Sequence, residues 1–432
     1  MNNMLYWIWL SLSCTAGSKT FKQLFSKFKT PEEVFFADES AIASVIGSTG
    51  KDYNALCNKD IAKAEKVLNF CTSKNVGILT YSDERFPYKL RKIDNPPVLL
   101  YYRGKLPDFY TRCFISVIGT RTLTSYGKIN AYKVSYDLAK CGAVIVSGMA
   151  KGIDGVALAA GLANAQNTVA IIGSGIDVCY PPEHITLARA IVKNGCVMTE
   201  YPPGTPPEKY NFPIRNRLIS AISHATVVIE GDSRSGALIT ARHALEQGKH
   251  IFAFPGNVGN RNSEATNLLI KNGATLFTCA DDIVLFFDKR YPGSLNPFKL
   301  KVKECYDMNS ALDELCVSCV TSADDLERAS LRKRRRTALV DTSSKASKKA
   351  NEKDLAVEEK EQLKAEDNTA MLNGFDKKLI ALYKKIPLNS ECQIESLIDA
   401  EHNLANVMQG LLKLEIAKFI TMLPGDRVKR NT

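Results

Sequence analysis

Apolar and polar residues follow two different rhythms along this chain. Up to about residue 70 the apolar positions recur at helical spacing, as in Phe21–Phe28 and again in Ile61–Phe70. Thr30-Pro31-Glu32-Glu33 writes a helix start: a capping hydroxyl, a proline in the first turn and acids behind it. The small-residue stretch Ser13–Thr20 reads as a turn between two helices. It is either a packing turn or a nest of N–H groups for a DNA backbone. From about residue 76 the rhythm shortens. VGILTYS, PVLLYYRG, CFISVIGT, GAVIVSG, TVAIIGSG, CVMTE, ATVVIEG and HIFAFPG are short β-rich runs, most of the later ones separated by amphipathic helix patterns. Near-continuous apolar strands alternating with helices predict a doubly wound parallel sheet covered on both faces.

After about residue 292 this order is lost. Between Leu331 and Ala350 there are eight Lys or Arg against the single Asp341, and EEKEQLKAED follows. This reads as a charged tether. Three more helix patterns, in 375–387, 394–400 and 403–420, precede a strand–turn–strand signal in TMLPGDRVKR. The expected organisation is a helical unit over 1–72 of the SAM or helix-hairpin-helix kind, an α/β core over 73–291, a charged linker over 292–370 and a winged-helix-like unit over 371–432.

Composition narrows the class without deciding it. The 432 residues carry a formal charge of +11, which points to a polyanionic partner. Twelve cysteines are scattered irregularly, many of them in apolar runs, as in a reduced cytosolic protein that uses Cys as a small hydrophobe. Cys316 and Cys319 form one CxxC with Cys305 upstream, but no second pair completes a zinc site. The apolar N-terminus lacks a preceding Lys or Arg and is too short to span a bilayer, so no signal peptide and no membrane span are expected.

The chemistry concentrates where strands hand over to helices. There, small residues leave N–H groups unpaired at the positive end of a helix, a place that favours anions. Arginine biases such a place towards phosphate. Arg121 follows FISVIGT, Lys151 follows VIVSGMA, Arg215 and Arg217 stand in NFPIRNRLIS, and Arg234, Ser235, Gly236 and Thr240 follow VVIEG. Most of these positions fall at predicted carboxyl ends of parallel strands, where open α/β sheets place ligands. Tyr210 and Phe212 add aromatic faces among the cations, a combination suited to single-stranded nucleic acid. A dinucleotide fingerprint is absent. After Gly173-Ser174-Gly175 the third glycine position holds Val178, and Tyr180-Pro181-Pro182 follows. No Walker A motif occurs either. Pairing of an arginine with Glu200 or Glu230 is the competing account of any single cation.

These residues carry a resemblance. IGTR with YG, SGMAKGID, TVAIIGSGIDVCYPPE, TEYPPGTPPEKYNFPIRNRLISAIS, EGDSRSGALITARHALEQGK, FAFPGN and TNLLIKNGA stand in the order found in the DprA/Smf family of DNA-processing proteins. The resemblance extends over essentially the whole chain. It implies an extended Rossmann-like core, single-stranded DNA binding without a nucleotide cofactor, a homodimer, and loading of the RecA recombinase during natural transformation. It implies that Arg121 contacts phosphate. Asn211, Phe212, Arg215, Asn216 and Arg217 would form the pocket, and Arg234, Ser235, Gly236 and Thr240 would supply further donors. The chain departs from the family in having Lys151 for Arg, Leu158 for His, Thr199-Glu200 for Ser-Glu, and Ala265 for Gly. The expectation is therefore a cytoplasmic, non-enzymatic DNA-binding protein without catalytic residues or metal. The alternative is a nucleotide-processing hydrolase of related fold using Glu200, Glu230 or Asp154.

Overall fold

The architecture is that of a computed structural model. It describes residues 2–163, 168–301, 307–317 and 320–321, and nearer the C-terminus 382–383, 385–387, 392–397, 407, 411, 414, 420–423 and 427–430. The chain divides into two compact units, Met1–Arg336 and Thr337–Thr432.

The first unit opens with six helices: α1 (Asn2–Ser13), α2 (Thr20–Lys27), α3 (Pro31–Phe36), α4 (Glu39–Ile46), α5 (Lys51–Cys57) and α6 (Ala62–Ser73). α3 starts as its sequence signals. The Thr30 hydroxyl accepts from Glu33 N–H at 3.2 Å, while the Glu33 carboxylate accepts from Lys29 N–H at 2.8 Å. The small-residue turn between α1 and α2 is closed by Asp52. One carboxylate oxygen accepts from Thr15 N–H (3.0 Å) and Thr15 Oγ1 (2.5 Å). The other accepts from Ser18 Oγ (3.1 Å) and Thr20 Oγ1 (2.5 Å). The donors of the turn are thus taken by a carboxylate of the protein itself, as in a packing turn. Burial pushes the Asp52 pKa up, but the bonds from Thr15, Thr20 and Ser18 outweigh it and hold the group below its ordinary value.

The main sheet has nine strands in the order β1-β2-β7-β6-β5-β3-β8-β9-β10. They are β1 (Gly77–Thr80), β2 (Leu99–Gly104), β3 (Phe114–Ile118), β5 (Val144–Ser147), β6 (Val169–Ile171), β7 (Cys196–Thr199), β8 (Ala225–Val228), β9 (His250–Ala253) and β10 (Thr275–Leu276). The short β4 (Thr122–Leu123) pairs instead with β11 (Val320–Thr321). From β7 to β10 every pairing is parallel. The sheet departs from the all-parallel expectation at one edge, where β1 and β2 pair antiparallel to each other and β2 pairs antiparallel to β7. Between β1 and β2 the chain makes only the one-turn helix α7 (Tyr88–Arg91), too little for a parallel crossover.

Alternation along each strand fills two cores. On one face Ile115, Val117 and Ile145 pack with α8 (Ser125–Lys140), α9 (Ile153–Ala163) and α14 (Ala280–Arg290). The apolar residues of the N-terminal helices, Trp7 and Phe21 among them, belong to the same cluster. On the other face Phe114, Ile118, Val144 and Val146 pack with α7, α11 (Asn211–Ile222), α12 (Gly236–Glu246) and α13 (Glu264–Lys271). The helices α10 (Ile185–Asn194) and α15 (Met308–Glu314) complete the described part of this unit. Leu158, where the resemblance leads to an expectation of His, is fully buried in the first cluster. Burial raises the thiols of Cys113 and Cys141 to about 12, with Cys113 eased by Lys89, so they act as hydrophobes.

In the second unit β12 (Cys392–Gln393), β13 (Ile420–Leu423) and β14 (Arg427–Arg430) form an antiparallel sheet in the order β12-β14-β13. The expected strand–turn–strand signal falls on β13 and β14. Val407, Leu411 and Leu414, at helical spacing, join Leu382, Ile386 and Val428 in a separate core. The basic tether of 331–350, Cys305 and Cys319 lie outside the described residues. So does most of the expected winged-helix-like unit. Among the described residues no helix is long and apolar enough to cross a membrane.

Candidate nucleic-acid interface

The carboxyl ends of β3 and β5, the start of α11 and the start of α12 enclose a cleft of about 400 Å³. Its position follows from the topology, because β3 is the central strand from which the order runs both ways. The loop after β3 is fixed from two sides. Thr120 N–H donates to the Glu230 carbonyl at 2.8 Å, and Ile153 N–H donates to the Thr120 carbonyl at 3.1 Å. Gly152 (φ +81°) lies against the Thr120 carbonyl so closely that a side chain there would collide with it. Behind the loop the Glu230 carboxylate accepts from Thr124 N–H (3.0 Å) and Thr124 Oγ1 (2.5 Å). Burial raises its pKa against these bonds.

Arg121 stands exposed at the tip of this loop, its guanidinium 5.4 Å from the centre of the Phe212 ring. Phe212 also receives Arg215 at 5.9 Å and packs on Tyr180 at 5.5 Å. Arg215 is buried. It donates to the Gly148 carbonyl at 2.6 Å and to the Ile171 carbonyl, and Gly148 has no side chain to block it. Burial lowers the Arg215 pKa to about 10, opposed by Asp154, so the guanidinium stays charged at neutral pH. Asp154 borders the same cleft and accepts from Gly148 N–H at 3.1 Å. Burial raises its pKa, opposed chiefly by Arg215. Ser235 caps α12 by accepting from Ala237 N–H at 3.2 Å, and Thr240 Oγ1 turns back to the Gly236 carbonyl at 3.4 Å. Arg234 reaches into solvent beside them. The helix start, with Gly236 at its first position, faces the cleft.

The structure thus brings together Arg121, Phe212, Arg215, Asn216, Arg234, Ser235, Gly236 and Thr240. Three predicted residues are placed elsewhere. Lys151 ion-pairs with Glu183 at 2.7 Å. Asn211 is buried at the start of α11, its side-chain amide donating to the Pro206 carbonyl at 3.4 Å and its main-chain carbonyl accepting from Tyr201 Oη at 3.3 Å. Arg217 does not reach this cleft. It is buried on another side of α11, bonded to Glu200 at 2.5 Å. Helix geometry is the reason. From Phe212, residues 215, 216 and 219 return to one face, whereas 217 lies about 140° away at about 100° per residue. The cleft also holds Lys209, exposed on the loop before α11, which the sequence reading did not single out. Its signal was its place two residues before the helix that carries Phe212. Of the three carboxylates considered for hydrolysis, Glu200 is committed to Arg217 and Glu230 to Thr124, and Asp154 alone borders the cleft.

Fold and site together define an α/β protein of the open, doubly wound kind, with a cationic and aromatic cleft at its strand ends. A family model for DNA recombination-mediator protein A matches residues 77–288. The DNA processing protein DprA of Bacillus subtilis is 35% identical over 236 residues, covering 55% of this chain and 80% of its own. That of Streptococcus pneumoniae is 39% identical over 206 residues, covering 48% and 72%. Its X-ray structure aligns with a TM-score of 0.57 at 32% identity, over 64% of this chain and 95% of its own. The chain belongs to the DprA/Smf family.

Proposed function

We propose that this chain is a non-enzymatic single-stranded DNA-binding protein that protects incoming strands and loads the RecA recombinase in DNA-mediated transformation or recombination. The observation that carries the reading is the exposed Arg121 guanidinium over the Phe212 ring, with Arg215 beneath and Lys209 and Arg234 at the same cleft. Cations for phosphates and an aromatic face for a base are what a flexible strand needs; a duplex hides its base faces. Arg121, Phe212, Arg215, Asn216, Arg234, Ser235, Gly236 and Thr240, together with Lys209, are the residues assigned to the strand. RecA loading, a homodimer, a winged-helix C-terminal unit and a cytoplasmic setting rest on membership of the family.

The test is binding of a fluorescent oligonucleotide, single-stranded against duplex, at two salt concentrations. Preference for the single strand with a steep loss in salt supports the reading, after which RecA filament assembly is measured with and without the protein. Equal weak binding to both forms sinks it.

A further inference from the structure

The amino ends of the same strands border a second cleft of about 870 Å³. Lys89 and Lys92 come from α7 and its end, Arg112 precedes β3, His224 precedes β8 and Lys249 precedes β9. Some positive charge is expected here, because α11 and α12 direct their carboxyl ends this way. The amount exceeds that need. Among the described residues, no carboxylate lies within ion-pairing distance of Lys89, Lys92, Arg112 or Lys249. Two acids also line the cleft, each already paired: Asp94 with Lys22 at 3.1 Å and with Lys19, itself of the lining, at 3.9 Å, and Glu246 with His243, also of the lining, at 3.3 Å.

Lys89 is only 8% exposed, yet its nearest partner is a base. Its Nζ lies 2.6 Å from His224 Nε2, while His224 Nδ1 accepts from Phe114 N–H at 2.9 Å. Burial and Lys249 bring Lys89 down to about 7; burial and Lys92 bring Lys249 to about 8. Burial and Lys89 bring His224 to about 4. A second, independent observation comes from Arg217, which is 2% exposed and lines this cleft. Glu200 takes its Nη2, but Nε and Nη1 are buried with no partner. Buried donors and charges left unpaired are costly, and an anion would relieve several at once. Tyr88 and Tyr110 stack at 5.5 Å on the same wall, and Tyr110 is 53% exposed.

We propose that this cleft is a second, phosphate-selective site that takes a ligand of nucleotide size, its phosphates over Lys89, Lys92, Arg112 and Lys249 and its ring against Tyr88 and Tyr110. The volume lies within the range of small-molecule pockets, roughly 300–1,000 Å³. The phosphate belongs either to a free nucleotide or to a nucleotide of a bound strand. The site does not depend on the reading of the first cleft.

The experiment is calorimetric titration of the full chain with pyrophosphate and with ATP. Both are expected to bind. Lys92→Ala, at an exposed position, and Lys249→Gln, at a half-buried one, should each weaken binding about tenfold, the loss of one charge-assisted contact. The same loss should appear when the two substitutions are made on an Arg121→Ala background, which weakens the first cleft's own hold on phosphate. Displacement of labelled ATP by a short oligonucleotide assigns the site to a strand, and retention of the label assigns it to a free nucleotide. The proposal is overturned if pyrophosphate, ATP and oligonucleotide all fail to bind here, or if the two lysine variants bind unchanged.

Discussion

Arg217→Ala is the substitution that best separates the roles of two arginines on one helix. In the parent the Arg217 and Glu200 side chains are 2% and 5% exposed and lie 2.5 Å apart. Burial already raises the Glu200 pKa, and Arg217 is the group that opposes the rise. Removing the guanidinium leaves a buried carboxylate with no cation, and breaking such a pair costs about 3–5 kcal/mol. For a domain of this size the melting temperature should fall by about 6–20 °C, at roughly 2–4 °C per kcal/mol. Affinity of the Arg121–Phe212 cleft for a short single-stranded oligonucleotide, measured well below the new midpoint, should change little. A double variant, Arg217→Met with Glu200→Leu, should recover most of the lost stability, because well-packed apolar residues replace buried ion pairs at little cost. Thermal unfolding and fluorescence anisotropy on the same samples decide the matter. A variant that melts like the parent but loses DNA affinity would refute the reasoning and return Arg217 to the DNA pocket.

Other outcomes follow from the same geometry. Arg121→Ala should leave the unfolding free energy within about 0.5 kcal/mol of the parent's, as exposed substitutions do. It should also reduce the log–log salt slope of DNA binding by about 0.7, one phosphate contact. Phe212→Ala should weaken single-strand binding by about 1–3 kcal/mol with the salt slope retained, since a stacking platform carries no charge. Gly148→Ala places a methyl 2.6 Å from Arg215 Nη1; Arg215 should leave its two carbonyls, visible as lost affinity with a lowered melting temperature. Asp52→Asn should destabilise the N-terminal helices by about 1–3 kcal/mol at neutral pH, through bonds to a charged acceptor. The folded Asp52 pKa lies below its ordinary 3.8, so this stability is complete above that value and fades as pH falls through the folded pKa. Unfolding midpoints of parent and Asp52→Asn should therefore converge in acid; a constant gap down to pH 2 would contradict the assignment.

The sequence by itself determined the layered α/β core. Apolar runs such as CFISVIGT and ATVVIEG are too continuous for one-sided strands, and the spacing between them fits helices. Hence β3, β5, β6, β7, β8 and β9 fall where the pattern places them. It also determined that cations and aromatics gather at the strand ends, because the same turns that leave N–H groups open are rich in small residues. The tertiary structure decided which cations share a cleft. NFPIRNR offers two arginines in one motif, but the helical turn sends Arg215 and Arg217 to different sides. Only the fold then sets Glu200 against Arg217 and Gly148 beneath Arg215. Likewise Asp52, 37 residues from Thr15, fills the turn that the local sequence leaves open. The cations of the second cleft that have no carboxylate partner, Lys89, Arg112 and Lys249, come from three separate connections, and no local pattern links them. Periodicity reports what each residue faces along its own element. Pairing of charges depends on distances between elements, which are fixed only when the sheet and its helices pack.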